Sequence, residues 1–304
     1  METMLGANAV AMGNYRALVS QVDALEPLPL TVMRLTDVIS AGEHEVSEIA
    51  EIVSLDQALT AGLLRRANSA MAGGRAPVAT VREAVVRLGS GPLLSMAFAA
   101  TVGNRMNAAL PAYGMVEGQL WQHSVAASVT ADVVRSMANA YVPAEASTAA
   151  LLHDIGKVVI CNHFGPQTVR MLETAAKTDD VSPLQVERQV FGADHAQIGA
   201  VVAGRWNLPE SIVESIMCHH DLTADQTPVG AAVALAHALI PAVIALAPGV
   251  DPMGDPSGQR LAPGALAGLL QVLEMSPVAL PSLLETAQNR YAMLEARYAG
   301  GSSR

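Results

Sequence analysis

The sequence predicts an all-α fold, and three observations lead to that prediction. Hydrophobic residues make up 51% of the chain and aromatic residues only 3%, so the apolar content is mostly Ala, Leu, Val and Met, which favour helix over strand. Apolar positions recur at helical spacing along most of the chain. Proline, glycine and helix-capping residues separate these periodic stretches. At 304 residues the chain is long enough for one large or two modest domains.

The first helices are predicted from breaks and caps. An amphipathic helix extends to about Ala24 and is followed by a break at Glu26–Pro29. Ser47 is the predicted N-cap of a later helix, and Asp56 is predicted to begin another. Between the break and Ser47, one helix carries an apolar stripe formed by Leu30, Met33, Leu35, Val38 and Ile39.

The next segment contains a loop and two helices. Met71–Pro77 is a loop by its Gly and Pro content. Thr80 is predicted to cap a helix that ends at Gly89, and a further helix runs from about Pro92 to Leu110.

Arginine is in excess between residues 64 and 105, where Glu83 is the only acidic residue. Such an excess indicates either a docking surface for an acidic partner or a nucleotide phosphate, or a scattered solvated face. The sequence leaves both interpretations open. The arginines are Arg65, Arg66, Arg75, Arg82, Arg87 and Arg105.

The second half begins near Gly118 with a helix that has His123 beside its buried side. Pro143 is predicted to open the helix that holds His153, with Gly156 loosening its end. A turn is predicted at residues 162–165, followed by a helix from 166 to about 178.

Capping signals divide the rest of this half. Ser182 is the predicted N-cap of a helix that ends at Gly192, and Asp194 caps the next one. Pro209 opens a helix with residues 219–221 at its C-terminal end. An apolar helix containing His237 is predicted to end near Ile240, before Pro241.

The C-terminal region contains a Gly/Pro-rich linker, residues 248–264, and two predicted helices, Ala265 to Met275 and Pro281 to Tyr298. The helices show no pattern of reactive residues. We interpret them as packing or dimer-forming elements.

Charge and composition limit the partners and the compartment. The chain has 18 basic and 28 acidic residues, and its net charge of −10 argues against nucleic acid and anionic lipid as partners. Cys161 and Cys218 give no disulfide framework, and the N-terminus has no signal-peptide pattern, so we expect a cytoplasmic protein. The membrane-like stretch Ala231–Val250 is interrupted by prolines, which favours a buried helix over a spanning one.

Reactive side chains cluster on apolar helices of the second half. The run Ala149–Lys157, AALLHDIGK, delivers a histidine, an aspartate and a lysine into the predicted interior, where such groups are rarely buried unless paired or bound. A nitrogen-rich set with one carboxylate suits Fe, Mn, Zn or Ni better than Mg or Ca. The candidate metal ligands are His123, His153, Asp154, His195, His219, His220 and His237.

Bound metal would lower the pKa of a water molecule, and Lys157 would then contact a phosphate oxygen. Two alternatives stay open. His153 and Asp154 can form a hydrogen-bonded polar knot without metal, and Lys157 can reach solvent past the helix end.

Four short motifs, LWQHS, ALLHDIGK, FGADHAQIGA and IMCHHD, resemble the HD superfamily of metal-dependent phosphohydrolases. The segments LPLTVMRL, IAEIVSLDQALTAGLLRRANSA and VREAVVRLG extend the resemblance to the HDOD branch over residues 25–222. The resemblance implies an N-terminal helical lobe at 25–115 and an HD-like lobe at 116–222. Residues 1–24 then form an N-terminal extension, and residues 223–304 a C-terminal helical region.

The second half is also similar to the HD-GYP cyclic di-GMP phosphodiesterases, with two departures. The helix that supplies a late aspartate in those enzymes offers His237 here, and the Gly-Tyr-Pro signature is missing after His220. The resemblance therefore implies a bacterial regulatory module that binds a signalling protein, with a nucleotide ligand and a homodimer as further possibilities. A metal-dependent phosphohydrolase is the alternative, and a retained metal can also be structural or sensory.

Overall fold

Helices are the regular secondary structure of the chain over the residues described by the computed structural model, which are 13–22, 26–42, 44–68, 77–176, 182–222, 226–245 and 263–301. No β-strand occurs in these ranges, and the nearest approach to one is an isolated bridge between Leu110 and Met115. The predicted all-α fold is confirmed.

Six helices form the first part of the structure. Helix α6 runs through its centre and packs on α2, α4 and α5, and it also contacts α7 and α8 of the second part. The helices are α1 (residues 13–22), α2 (Leu30–Ser40), α3 (Val46–Ser54), α4 (Gln57–Ala67), α5 (Val81–Leu88) and α6 (Ser90–Met106).

Local capping chemistry sets several of these boundaries. The Asp56 side chain accepts a hydrogen bond from the backbone N–H of Leu59 at the start of α4. Thr80 and Glu83 form a reciprocal capping box at the start of α5, and Gly89 ends α5 with a φ of 82°. These caps confirm the sequence predictions.

Two predictions in this part are wrong in detail. Helix α3 begins at Val46, and Ser47 lies inside it and donates its hydroxyl to the Glu45 carboxylate instead of capping the helix. Leu30 is 63% exposed rather than part of the buried stripe, because it is the first residue of α2. Residues 71–76 of the predicted loop lie outside the described residues.

Seven helices form the second part of the structure. Helix α7 contacts α8 and α13 along its length, while α11 packs between α9 and α12. The helices are α7 (Gln119–Met137), α8 (Ala146–Leu152), α9 (Ile155–Ala176), α10 (Pro183–Phe191), α11 (His195–Arg205), α12 (Glu210–Met217) and α13 (Pro228–Ile244). The predicted N-caps Ser182 and Asp194 both form capping boxes, and Gly192 ends α10 with a φ of 76°.

Three boundaries in this part differ from the sequence predictions. His153 and Asp154 lie in a turn between α8 and α9, whereas Gly156 lies inside α9. Helix α9 continues through residues 162–165, where a turn was predicted. Helix α13 contains Pro241 and continues to Ile244, because burial of its apolar residues outweighs the hydrogen bond that the proline cannot make.

The C-terminal helices pack against the second part of the structure. They are α14 (Pro263–Val272) and α15 (Leu280–Gly301), and α15 contacts both α7 and α13. Gln288 donates a hydrogen bond to the carbonyl of Ala242, and Asn139 donates one to the carbonyl of Glu274. These contacts support the packing role of the two helices. Residues 248–262 of the predicted linker lie outside the described residues, and residues 263–264 belong to α14.

None of the described helices alone has the length and apolar character needed to cross a bilayer. Two bent helix pairs reach that length and composition together: Val81–Leu88 with Ser90–Met106, and Pro263–Val272 with Pro277–Glu295.

Candidate metal centre

A close crossing of two helices builds the site. Helix α9 begins directly after Asp154 and passes the start of α11 at Gly156. A side chain at Gly156 would overlap the backbone carbonyl of His195, and its Cβ would lie only 2.8 Å from the Gly199 nitrogen. Glycine is therefore needed for the crossing, which brings Asp154 and His195 together.

The structure brings all seven predicted ligands into one cluster, in two groups of histidines. In the first group, His153 Nε2 lies 3.1 Å from His123 Nε2 and 3.2 Å from His237 Nδ1. These three nitrogens come from α7, the turn after α8, and α13. The three side chains offer ligand atoms within 4.8 Å of one another.

The second group contains His195, His219 and His220, whose ligand atoms also lie within 4.8 Å of one another. The Nε2 atoms of His195 and His220 are 2.9 Å apart. These residues come from the start of α11 and from the turn that follows α12. The second group is therefore assembled by helices different from those of the first.

Asp154 lies between the two groups and faces each with a different oxygen. Its Oδ2 is 3.3 Å from His123 Nε2 and 3.4 Å from His153 Nε2. Its Oδ1 is 3.2 Å from His195 Nε2 and 3.8 Å from His219 Nε2. A carboxylate in this position has the geometry of a bridge between two neighbouring cation sites.

Lys157 belongs to the same buried cluster. Its ammonium group donates to Asp154 Oδ2 at 2.7 Å and lies 5.6 Å from the centre of the Tyr113 ring. The side chain is only 2% exposed, so the alternative in which it reaches solvent is wrong. Lys157 here balances the carboxylate charge inside the core.

Backbone carbonyls orient two of the imidazoles. The Nδ1 atoms of His153 and His219 lie 2.7 Å from the carbonyl oxygens of Ala150 and Ile216. Because a carbonyl oxygen can only accept, each Nδ1 carries a proton, and the Nε2 atom of each ring faces the cluster. Metal-binding histidines are commonly held in this way.

Glu187 on α10 is a functional candidate that the sequence analysis missed. Its carboxylate accepts from the backbone N–H of His195 at 2.6 Å and from His195 Nδ1 at 2.8 Å. A buried carboxylate behind a ring nitrogen holds the imidazole in place and increases its basicity. Glu187 lies on an amphipathic helix, LQVERQVFG, so the sequence offers little to distinguish it from a solvated residue.

The pKa values in the cluster follow from burial and neighbouring charge. Burial lowers the pKa of His123 to about 4 and also lowers the pKa of His219. For His195, burial is outweighed by the Glu187 carboxylate, which raises the pKa to about 9. Burial would raise the pKa of Asp154, but the charge of Lys157 helps to hold it well below its usual value. At neutral pH the metal-free site therefore contains an ionised Asp154, a protonated His195, and neutral imidazoles at His123 and His219.

The residues fit a divalent transition metal. Two nitrogens bound to one ion at about 2.0–2.1 Å lie roughly 3.0–3.4 Å apart, close to the separations observed within each group. Within the described part of the chain, Asp154 Oδ1 and His219 Nε2 are buried without a hydrogen-bond partner. Both are acceptors and they face each other, so a cation between them would satisfy both. The cluster can therefore bind a metal ion, and its donors suit Fe, Mn, Zn or Ni.

Comparison with known proteins identifies the sequence family. The sequence model of the HDOD domain matches residues 25–222. An uncharacterized protein of Treponema pallidum (strain Nichols) is 26% identical over 207 residues, which are 68% of this chain and 39% of that protein. The chain thus spans about two-fifths of the length of this curated relative.

Solved structures share the fold. An HDOD domain protein of unknown function from Geobacter sulfurreducens has a TM-score of 0.65 and 22% identity, covering 93% of this chain and 98% of its own. A Shewanella amazonensis SB2B protein provisionally named a phosphohydrolase has a TM-score of 0.64 and 25% identity, covering 91% of this chain and 95% of its own. A Marinobacter aquaeolei VT8 protein provisionally named for signal transduction has a TM-score of 0.69 and 20% identity, covering 98% of this chain and 66% of its own.

Proposed function

The chain belongs to the HDOD domain family, and we propose that it is a metal-binding regulatory module in bacterial signalling rather than an efficient phosphohydrolase. The observation that carries the proposal is the pair of buried acceptors, Asp154 Oδ1 and His219 Nε2, which face each other between two histidine groups. His123, His153 and His237 would hold one ion, His195, His219 and His220 would hold a second, and Asp154 would contribute its carboxylate between the two groups.

Limited access to the centre supports regulation over catalysis. The six histidines, Asp154 and Lys157 form the centre, and all of these side chains except His220 are buried. A phosphoester must reach both the metal and the attacking water in order to be hydrolysed. A metal bound by these residues would supply positive charge and would cross-link the helices that carry them, and the burial of the residues would exclude water from it.

The replacement of a carboxylate by His237 points in the same direction. Its Nδ1 faces His153 Nε2, so it extends the neutral nitrogen ligands of the first group. Among the described residues, Asp154 is the only carboxylate that touches the histidine groups at their centre, whereas Glu187 lies behind His195. A centre with one carboxylate neutralises less of the positive charge of two divalent ions than a centre with two carboxylates does.

Metal analysis combined with a turnover assay tests this function. Protein purified without chelator is analysed by mass spectrometry for metals and incubated with bis(p-nitrophenyl) phosphate and cyclic di-GMP. We expect a bound transition metal, no metal-dependent turnover, and loss of the metal in His153→Ala but not in the His163→Ala control. Metal-free protein would contradict the metal centre. Turnover that disappears in His153→Ala would support the phosphohydrolase alternative.

We further propose that the N-terminal lobe contacts the signalling protein partner. Leu55 at the end of α3 and Val86 on α5 are large apolar side chains exposed to solvent on two helices that pack together. An apolar side chain that is exposed in the isolated chain loses its contact with water when a partner chain covers it, which favours association. The same surface can form a homodimer, which sedimentation velocity of the wild type and of a Leu55→Ser, Val86→Ser variant would detect. A dimer that the double substitution leaves intact would place the dimer contact elsewhere.

A further inference from the structure

A second polar site lies between the two lobes and the C-terminal helix. A cavity of about 400 Å³ is bounded by α4, α5 and α6 of the N-terminal lobe, by α7 and α8, and by α15. Its size falls within the range of about 300–1,000 Å³ that is typical of small-molecule sites. Sites of this kind occur preferentially where domains or helical units meet.

The cavity wall is strongly cationic in an otherwise acidic protein. The guanidinium groups of Arg66, Arg87, Arg135 and Arg290 line it, and Asp132 is the one acidic side chain among the described residues of the wall. The formal charge of the wall is therefore 4 − 1 = +3, whereas the whole chain carries −10. An anionic ligand is favoured here despite the overall charge of the protein.

Contacts with the protein hold Arg87, Arg135 and Arg290 in place. Arg135 and Arg290 each donate to the Asp132 carboxylate at 3.0 Å, one to each oxygen. Arg87 donates to the carbonyl of Ala67 at 3.2 Å. Fixed guanidinium groups lose less conformational freedom on binding an anion than mobile ones do.

The remaining wall is apolar and contains hydroxyl groups. Trp121, Met96 and Val125 provide the apolar surface, with the indole as the only aromatic group in the described lining. Ser95 and Ser147 also line the cavity, and their hydroxyl oxygens are 3.1 Å apart. A flat apolar group can pack on Trp121, while hydroxyl groups of a ligand can bond to the serines.

The cavity is separate from the metal centre. The lining residues of α7 follow one face of the helix, at spacings of four, seven, eight and eleven residues from Trp121: Val125, Ser128, Val129 and Asp132. His123 lies two residues from Trp121 and therefore points to the opposite side of the helix. Residues of α8 also line the cavity, while His153 follows this helix on the side of the metal centre.

We propose that this cavity binds a nucleotide, with its phosphates on the arginines and its base on Trp121. Several guanidinium groups around a site of this size suit two or more negative charges, which a nucleoside diphosphate carries. The indole of Trp121 offers a flat surface on which the base can stack, and the serine hydroxyls offer hydrogen-bond partners for the ribose. This assignment does not depend on whether the histidine cluster binds metal.

Titration calorimetry of the full chain with ADP and GDP tests the proposal. We expect at least one of the two to bind, and pyrophosphate and the corresponding nucleoside to bind at least about tenfold more weakly. Arg66→Gln should weaken nucleotide binding by about tenfold or more, because one charge-assisted contact is lost. Arg65→Gln, an exposed neighbour on the same helix that does not line the cavity, should leave binding unchanged.

Arg290→Gln is a second variant in which one arginine of the cavity is lost, and it should weaken nucleotide binding in the same way. We expect it to fold, because Asp132 keeps Arg135 as a partner and α15 keeps its apolar contacts. Circular dichroism confirms that each variant is folded. The proposal is overturned if neither nucleotide binds at about 1 mM. It is also overturned if pyrophosphate binds as tightly as the nucleotide, if Arg65→Gln and Arg66→Gln weaken binding equally, or if chelator-treated protein loses binding together with its metal.

Discussion

Gly156→Ala tests whether the crossing of α9 and α11 creates the metal centre. An added Cβ would overlap the His195 carbonyl oxygen and would stand 2.8 Å from the Gly199 nitrogen and 2.9 Å from the His195 carbonyl carbon. All of these atoms belong to the backbone, so rotation of a flexible side chain cannot relieve the overlap. The two helices must therefore move apart.

The required movement can be worked out from the contact distances. Non-bonded heavy atoms pack at roughly 3.5–4.0 Å, so the separation from the Gly199 nitrogen must grow by about 0.7 Å or more. Overpacking of this kind costs about 1–3 kcal/mol, and we expect the upper end of that range because the contacts are with backbone. For a chain of 304 residues, a loss of about 2–3 kcal/mol corresponds to a fall in Tm of roughly 3–5 °C. The movement also separates Asp154 from His195, so bound metal should fall with stability.

Thermal unfolding and metal analysis measure both effects, and α11 provides a matched control. An added Cβ at Gly204 meets nothing within 4 Å. Gly204→Ala should therefore leave the metal unchanged and raise stability by about 0.5–1 kcal/mol, the usual helical preference for alanine. The same preference applies at position 156, so a destabilised Gly156→Ala would report the steric clash alone. A Gly156→Ala protein as stable as the wild type and fully loaded with metal would refute this reasoning.

Three further predictions concern the charges of the centre. Asp154→Asn should remove the metal and destabilise the fold by about 3–5 kcal/mol, because Lys157 stays buried without its carboxylate partner. Adding Lys157→Met to this variant should recover the stability measured by urea unfolding but should not recover the bound metal. Glu187→Gln should weaken metal binding by about 10–100-fold in a chelator competition assay, whereas Glu210→Gln, at an exposed position, should not. If the two variants bind metal with equal affinity, the role of Glu187 is contradicted. The pKa of His195 is raised from 6.5 in the unfolded chain to about 9 in the folded chain. Protonation of His195 therefore stabilises the fold fully below pH 6.5, and this stabilisation is lost as the pH rises through about 9. Metal-free protein should therefore melt at a lower temperature at pH 9.5 than at pH 7, and metal uptake at pH 7 should release about one proton, detected by calorimetry in buffers of different ionisation enthalpy. An uptake without proton release would mean that His195 is already neutral.

Features set by neighbours in sequence were predictable. The caps Asp56, Thr80, Ser182 and Asp194 each bond to backbone within three residues, so the sequence contains both partners of every contact. The histidine cluster was also predicted, because imidazoles on apolar helices have few other reasons to be buried. The short-range signals and the unusual residue types together identified the fold class and the candidate ligands.

Features set by distant contacts were not predictable. Pro241 was expected to end its helix, but burial of α13 carries the helix to Ile244. The sequence indicates a loosened helix end at Gly156. In the structure, a glycine is needed there because the backbone carbonyl of His195, 39 residues further along the chain, leaves no room for a side chain. Glu187 reads as a surface residue until α10 places it behind His195. In each case the deciding partner is far away in sequence, so local propensity contains no information about it.

The two sites share a helix, and this limits how each can act. His123 on one side of α7 belongs to the metal centre, while Trp121 and Asp132 on the other side line the cationic cavity. The candidate metal ligands come from five separate segments, so a bound ion would stabilise the arrangement of α7 against α11 and α13. Saturation at 100 times Kd would contribute about 2.7 kcal/mol. A ligand in the cavity would instead contact α7 together with the N-terminal lobe. Any coupling between the two binding equilibria must be reciprocal. If a nucleotide increases the affinity for metal by some factor, the metal-loaded protein binds the nucleotide more tightly by the same factor.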